Sequence, residues 1–266
     1  MTAGTAADAP PASPIEAAVL KTLLYADMFD YPLTKSEVHR RLIGVALSRA
    51  QLESTLQDSR WLARRVERVN GYYAVNGRGP EVTALRSARA ESSERLWRSA
   101  RLFGRLIAQL PFVRMVAVTG ALAVDNADAG DDIDYLIVTT PERVWLARAL
   151  CIVYVRLARL AGVHLCPNYL LSERALDQPH RDLFTAHELA QMVPLSGRPL
   201  VERMRSENDW SAHFLPNAAG REVAFDYTPR GVGRLLQWTG ELLLGGRIGL
   251  ALERWERSRK LRQFAP

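Results

Sequence analysis

Two acids at alternate positions, Asp132 and Asp134, lead into the apolar stretch Tyr135-Leu136-Ile137-Val138. Upstream, the apolar run from Met115 to Val118 ends near the pair Gly120-Ala121, and ten residues separate Ala121 from Asp132. Side chains alternate across a strand. Both carboxylates therefore emerge on one face, about 6–7 Å apart along the backbone, with Ile133 and Tyr135 in the opposite layer. Neighbouring carboxylates repel and need a compensating cation. Hard divalent ions accept carboxylate oxygens together with phosphate oxygens and waters. A pair of such ions can activate an attacking hydroxyl and stabilise a leaving oxygen. A glycine close by lets backbone approach a phosphate, because it has no Cβ. The competing reading is a solvated turn. It takes Asp125, Asp128 and Asp131, which sit in the loop-like 125-DNADAGDD-132. Asp134 resists that reading because four apolar residues follow it directly.

The elements that must position this pair follow from periodicity. Strands are expected over 113–118, 132–139 and 163–171, with a helix over 141–161 between the last two. A long Arg-rich amphipathic helix over 83–110 precedes them and stops at Pro111. Helices near 180–192 and 199–208 follow, and then a final helical segment over 231–262 expected to pack over the sheet. Its Leu242-Leu243-Leu244 and basic 252-LERWERSRKLR-262 also suit an anionic membrane surface. Against that stand the interruption at Gly245-Gly246 and the acids Glu253 and Glu256. The order is α/β (α+β), a mixed sheet flanked by helices.

Ahead of this part, residues 15–27 carry Ile15, Val19, Leu23 and Leu24 at helical spacing. Thr34 with Glu37 forms a capping box for a short helix, and Ser48 opens another through Asp58. Runs 62–66 and 72–75 flank Asn70-Gly71, a favoured hairpin turn. Three short helices and a hairpin is the winged-helix order, in which the third helix can lie in a major groove. Arg49, Arg60, Arg64, Arg65 and Arg68 are the candidate nucleic-acid contacts. The same module also serves as a docking unit, with those arginines solvated. Gly77-Arg78-Gly79-Pro80 marks a break, giving a disordered tail over 1–13, a winged-helix domain over 14–79, a sheet domain over 80–175 and a helical extension over 176–266.

The pattern Gly120-Ala121, ten residues, Asp132-Ile133-Asp134 resembles the signature of the polymerase-β-like nucleotidyltransferase superfamily. The resemblance is specific over 112–140 and looser to 171. Together with 166-CPNY-169 and 185-TAHEL-189 it looks like bacterial nucleotidyltransferase-like proteins. It implies a small mixed sheet flanked by helices and a nucleoside triphosphate donor. Mg²⁺ (or Mn²⁺) would be held by Asp132 and Asp134, with Gly120 and Ala121 at the phosphates. The implied reaction moves a nucleoside monophosphate to a hydroxyl of an acceptor: a small molecule, an RNA or a protein. Two departures count against an intact site. The family's serine is Ala121 here, and the third carboxylate of a later strand is missing; Asn168 stands near its place and Glu173 is the nearest acid. The alternative is a catalytically degenerate protein that senses nucleotides or binds DNA through its winged helix.

Composition narrows the class. The 266 residues are 48% hydrophobic and 24% charged, with 35 basic against 29 acidic side chains, net +6. Such a chain supports a folded core, and its modest positive excess permits a polyanionic partner. Two cysteines, Cys151 and Cys166, make no disulfide framework. No apolar run is long enough for a membrane span and no leader is visible, so the expected location is cytoplasmic. His187 and Glu188 lack HExxH spacing and read as packing residues, as do His164 and His180.

Overall fold

Ser13, Thr34 and Ser48 each accept the amide of the residue three positions on, and Glu16, Glu37 and Gln51 return the bond to the cap backbone. These boxes satisfy donors that a helix start leaves without an acceptor. They fix helices α1 (Pro14–Asp27), α2 (Lys35–Arg40) and α3 (Arg49–Asp58), with the two-residue strand β1 (Leu33–Thr34) before α2. The computed structural model describes residues 10–11, 13–218 and 226–264. Apart from residues 10, 11 and 13, the tail expected over 1–13 lies outside them.

The hairpin differs from the expected 62–66 and 72–75. Its strands are β2 (Val66–Val69) and β3 (Tyr72–Val75), and Leu62–Arg64 form a 3-10 turn. The turn chemistry explains the shift. Asn70 and Gly71 both take positive φ, 50° and 87°, as a two-residue hairpin turn requires. Val69 must then face Tyr72, which sets Val66 opposite Val75. Leu33 pairs with Tyr73, so the small sheet has the order β1-β3-β2.

A 30-residue helix, α4 (Gly79–Ala108), follows. The chain divides into two compact units between Glu91 and Ser92, within this helix, rather than at the Gly77–Pro80 break. The first unit also takes in stretches beginning at His180 and Trp210, so the extension expected over 176–266 is shared between units. In this unit the Phe214 carbonyl accepts the Gly44 amide at 2.8 Å. Asn217 bridges the Leu47 amide and the His39 carbonyl.

The second unit is built on strands β4 (Val113–Val118) and β5 (Ile133–Thr139), helix α5 (Val144–Leu160) and strand β6 (Leu165–Ser172). Helix α6 (Leu183–Gln191) belongs mainly to the first unit. Strand β7 (Val193–Ser196) and helix α7 (Arg198–Glu207) return to the second, and α8 (Ser211–Phe214) lies in the first. Helices α9 (Gly231–Leu244) and α10 (Arg247–Phe264) close the second unit. Its sheet has the order β6-β5-β4-β7; β5 and β6 run parallel and the other pairs antiparallel. Strand β7 was not expected from the sequence. It is four residues long and contains Pro194, which an edge strand tolerates.

One face of this sheet, with Val116, Val118, Ile133, Tyr135 and Ile137, is buried with Ala100, Ile107, Ala147 and Cys151. The Tyr135 hydroxyl donates to the Ala100 carbonyl at 2.7 Å, so burying that phenol leaves no donor unsatisfied. By alternation, Asp134 lies on the other face. The single C-terminal helix expected over 231–262 is two helices, broken at Gly245-Gly246. They attach to the segment between α4 and β4 and to α5 through the polar contacts given below. No described helix is long and apolar enough to cross a membrane.

Candidate functional site

Strand register assembles the site. Antiparallel pairing sets Val118 opposite Tyr135, and the Thr119 amide donates to the Asp134 carbonyl at 3.0 Å. The next residue, Gly120, has φ 66° and ψ −154°, a combination essentially confined to glycine. A Cβ on Gly120 would collide with the Asp134 carboxylate, lying 3.3 Å from its Cγ and closer still to one oxygen. Gly120 is therefore required twice, by its backbone conformation and by the carboxylate beside it. Gly120→Ala is expected to cost roughly 1–3 kcal/mol from the backbone alone. Urea denaturation measures the loss. The same substitution in an Asp134→Ala background should cost less, because the colliding oxygen is gone.

Asp134 is half-buried, and its parallel neighbour on β6 is Cys166. Burial, then the charges of Asp132 and Asp131, push the Asp134 carboxyl up, opposed by a hydrogen bond from Cys166. The Cys166 thiol is pushed up to about 11 by burial, by Asp134 and its hydrogen bond, and by Asp132. At neutral pH Cys166 is thus a thiol donating to Asp134. Asp132 stands one residue before β5, although the strand was expected to include it. Its carboxylate is 58% exposed, with the His164 Nδ1 3.6 Å from an oxygen. By its sequence His164 reads as a packing residue; the parallel register of β6 brings it beside Asp132. The two acids are consequently unequal: one faces solvent and an imidazole, the other is desolvated against a thiol.

Of the two residues considered for a third acid position, Asn168 carries no carboxylate and Glu173 stands at the far end of the strand. Asn168 is exposed, at the register shift that interrupts the β5–β6 ladder between Cys166 and Tyr169. The Glu173 amide donates to the Thr139 carbonyl at the other end of β5, about 17 Å along the strand from Asp134. Among the described residues no group of three or more His, Cys, Asp and Glu could hold a metal ion. Two carboxylates nevertheless suit a Mg²⁺ bound mostly through substrate phosphates and water. The repulsion that raises Asp134 is what such a cation would relieve.

Ala121 is exposed and begins the 3-10 turn Ala121–Val124. Thr119, missed in the sequence reading, is 1% exposed, and its hydroxyl has no hydrogen-bond partner among the described residues. The acids Asp125 and Asp128 belong to the loop: Asp125 accepts the Trp97 indole N–H at 2.8 Å, and the Asp128 amide donates to Asp131. A cavity of about 410 Å³ opens elsewhere in the second unit, lined by residues including Arg114, Arg198, Asp226 and Arg234, and it does not include the acid pair.

The candidate nucleic-acid contacts lie in the first unit. Arg49 starts α3 and is exposed, as are Arg60 and Arg64. Arg65 is drawn inward: its guanidinium lies 4.0 Å from the Trp61 ring centroid and donates to the Trp61 carbonyl. Arg68 lies over Tyr73 at 5.7 Å. His187 is buried, stacks on Tyr25 with centroids 4.3 Å apart, and is held down to about 4, chiefly by burial. A histidine kept neutral in this way is a packing residue. No family model, curated protein or solved structure matches the chain.

Proposed function

We propose that the second unit binds a nucleoside triphosphate with Mg²⁺ or Mn²⁺ and transfers its nucleoside monophosphate to a hydroxyl acceptor. This reading takes the sheet as a nucleotidyltransferase fold. One observation carries it: Gly120, in a glycine-only conformation, lies against Asp134, next to Asp132 at the mouth of the same strand. The order of helices and the β1-β3-β2 sheet of the first unit likewise support a winged helix. Asp134 and Asp132 would hold the cation. Gly120 and the amides that follow would lie along the phosphates, and Thr119 adds a hydroxyl nearby. The cation, when bound, supplies charge neutralisation at the leaving pyrophosphate and polarises the attacked phosphorus.

Cys166 favours a second reading. It occupies the place beside Asp134, and a thiol pushed up to about 11 cannot serve as a general base at neutral pH. A protein that holds a nucleotide without transferring it, and acts through its exposed winged-helix arginines, fits that chemistry. Thermal unfolding with each NTP, with and without Mg²⁺, tests both readings. Ligand at about a hundred times its dissociation constant should add roughly 2.7 kcal/mol. A Mg²⁺-dependent shift is expected; its absence for every NTP would sink the site. Pyrophosphate release with candidate acceptors then separates transfer from binding.

A further inference from the structure

Helices α9 and α10 are attached with their polar side inward. In α9, Gln237 is 7% exposed and donates to the carbonyls of Ala108, Leu110 and Val113. Glu241 accepts from the Phe112 amide and from Arg114 at 2.7 Å. Gly233 and Gly240 lie on the same side, where a Cβ would strike Gln109 and Pro111. In α10, Glu253 is 7% exposed and accepts the amides of Trp145 and Leu146 at the start of α5, while Glu256 is 4% exposed and pairs with Arg259.

The apolar sides therefore face outward. Positions 232, 235, 236, 242 and 243 form one stripe at helical spacing. Leu235, Leu236, Leu242 and Leu243 are 56%, 59%, 67% and 74% exposed, and Trp238 on the flank is 57% exposed. On α10 the outward stripe begins Ile248, Leu252, Trp255 and ends Arg259, Arg262. A helix of a soluble domain normally buries its apolar stripe, and contiguous exposed apolar surface marks an interaction site.

Charge says what covers it. The three acids of these helices are Glu241, Glu253 and Glu256, and all three are spent on internal partners. Arg234 lines the cavity on the docked side of α9 with Glu241, whereas Arg247 and Arg254 are exposed on the flank of the α10 stripe and Arg262 is exposed at its end. Glu253 and Glu256, which weighed against a membrane role in the sequence, are withdrawn from the surface. The Gly245-Gly246 break only joins two helices with outward apolar stripes. A second copy would bring the same arginines together with no acid of these helices to meet them. We infer that the α9–α10 surface lies on an anionic lipid bilayer, leucines and tryptophans in the interface and arginines at the headgroups.

The inference is independent of the nucleotide site, and its test uses the full chain. The wild-type protein is expected to sediment with vesicles of phosphatidylcholine plus phosphatidylglycerol, but not with phosphatidylcholine alone, and to release in high salt. Replacing Leu235, Leu236, Leu242 and Leu243 by glutamine should lower partitioning at least about tenfold. Each side chain is more than half exposed, so the melting curve should be unchanged. Trp238 and Trp255 give a second reading in the unaltered fold: brominated anionic lipid should quench their emission, and Trp238→Phe/Trp255→Phe should remove that quenching. Failure to sediment with anionic vesicles would overturn the inference, as would sedimentation that the leucine variant leaves intact. A wild-type dimer made monomeric by that variant, with no vesicle binding, would assign the surface to a second copy instead.

Discussion

Asp134→Asn is expected to raise the melting temperature of the nucleotide-free protein while abolishing its response to Mg²⁺ and NTP. Both effects have one cause. The Asp134 carboxyl is raised by burial and by the charges of Asp132 and Asp131. A group whose folded value lies above its unfolded value adds stability below the unfolded value and loses it as pH rises through the folded one. At neutral pH the ionised Asp134 therefore opposes folding. Asparagine removes the charge and can still accept from Cys166. A gain of about 1–3 °C is expected at neutral pH, shrinking towards zero in acid, where the wild-type carboxyl is also neutral. On the proposed function, the roughly 2.7 kcal/mol of stabilisation from saturating nucleotide should vanish, because Mg²⁺ would lose one of its two carboxylates. A variant that melts lower than wild type without ligand, or that keeps the Mg²⁺-dependent shift, would contradict the assignment. A carboxylate proposed to bind Mg²⁺ and destabilising its own fold would follow a general pattern, in which functional sites hold groups at some cost in stability.

Arg86→Met is expected to destabilise the first unit by about 3 kcal/mol, although no proposed ligand touches it. Arg86 projects from α4, is 8% exposed, and meets Glu37 at 2.9 Å and the Pro32 carbonyl at 3.1 Å. Its guanidinium also lies 3.8 Å from the Tyr31 ring centroid. Burial alone would raise Glu37. The Arg86 charge and hydrogen bond, together with the Thr34 amide and Arg41, overcome it and hold the carboxyl down to about 2. Removing one member of a buried pair leaves the other charge desolvated, at about 3–5 kcal/mol. The sign with pH is fixed as well. A depressed carboxyl contributes stability above its unfolded value of 4.5, and that contribution is lost as pH falls towards 2. At full ionisation it is worth about 3 kcal/mol. Urea unfolding at neutral pH and near pH 3 should therefore show a large gap between wild type and variant that narrows in acid. Adding Glu37→Gln to Arg86→Met should recover part of the loss, since no buried charge remains while the amide oxygen can still accept from the Thr34 cap. A double variant no better than the single would mean that Arg86 acts through packing on Tyr31 alone.

Much of the local structure was legible in the sequence because short-range chemistry sets it. The capping residues Thr34 and Ser48, the Asn70-Gly71 turn and the strand over 113–118 act within a few positions of themselves, whereas Ser13, expected in the tail, caps α1. Even the misplaced strand at 62–66 follows from that turn once pairing is counted outward from Asn70-Gly71. Strand β7 was hidden because four residues containing a proline carry too little pattern. The unit boundary was hidden because a continuous helix crosses it, and the first unit gathers stretches that begin only at His180 and Trp210.

The sequence by itself determined the acid pair, its glycine, and which faces Asp134 and Tyr135 take, because alternation along a strand is a local property. Only the tertiary structure decided that Cys166 and His164 stand beside those acids while Glu173 does not. That outcome depends on the parallel register between strands separated by α5, which no local pattern encodes. Likewise, helical spacing revealed that α9 and α10 each have an apolar and a polar side. Which side docks was settled by partners far away in the chain: the carbonyls that Gln237 meets, the amides that Glu253 caps, and the small surfaces of Gly233 and Gly240. Burying those polar groups is favourable only with their hydrogen-bond partners in place, and those partners exist only once the sheet and α5 have formed.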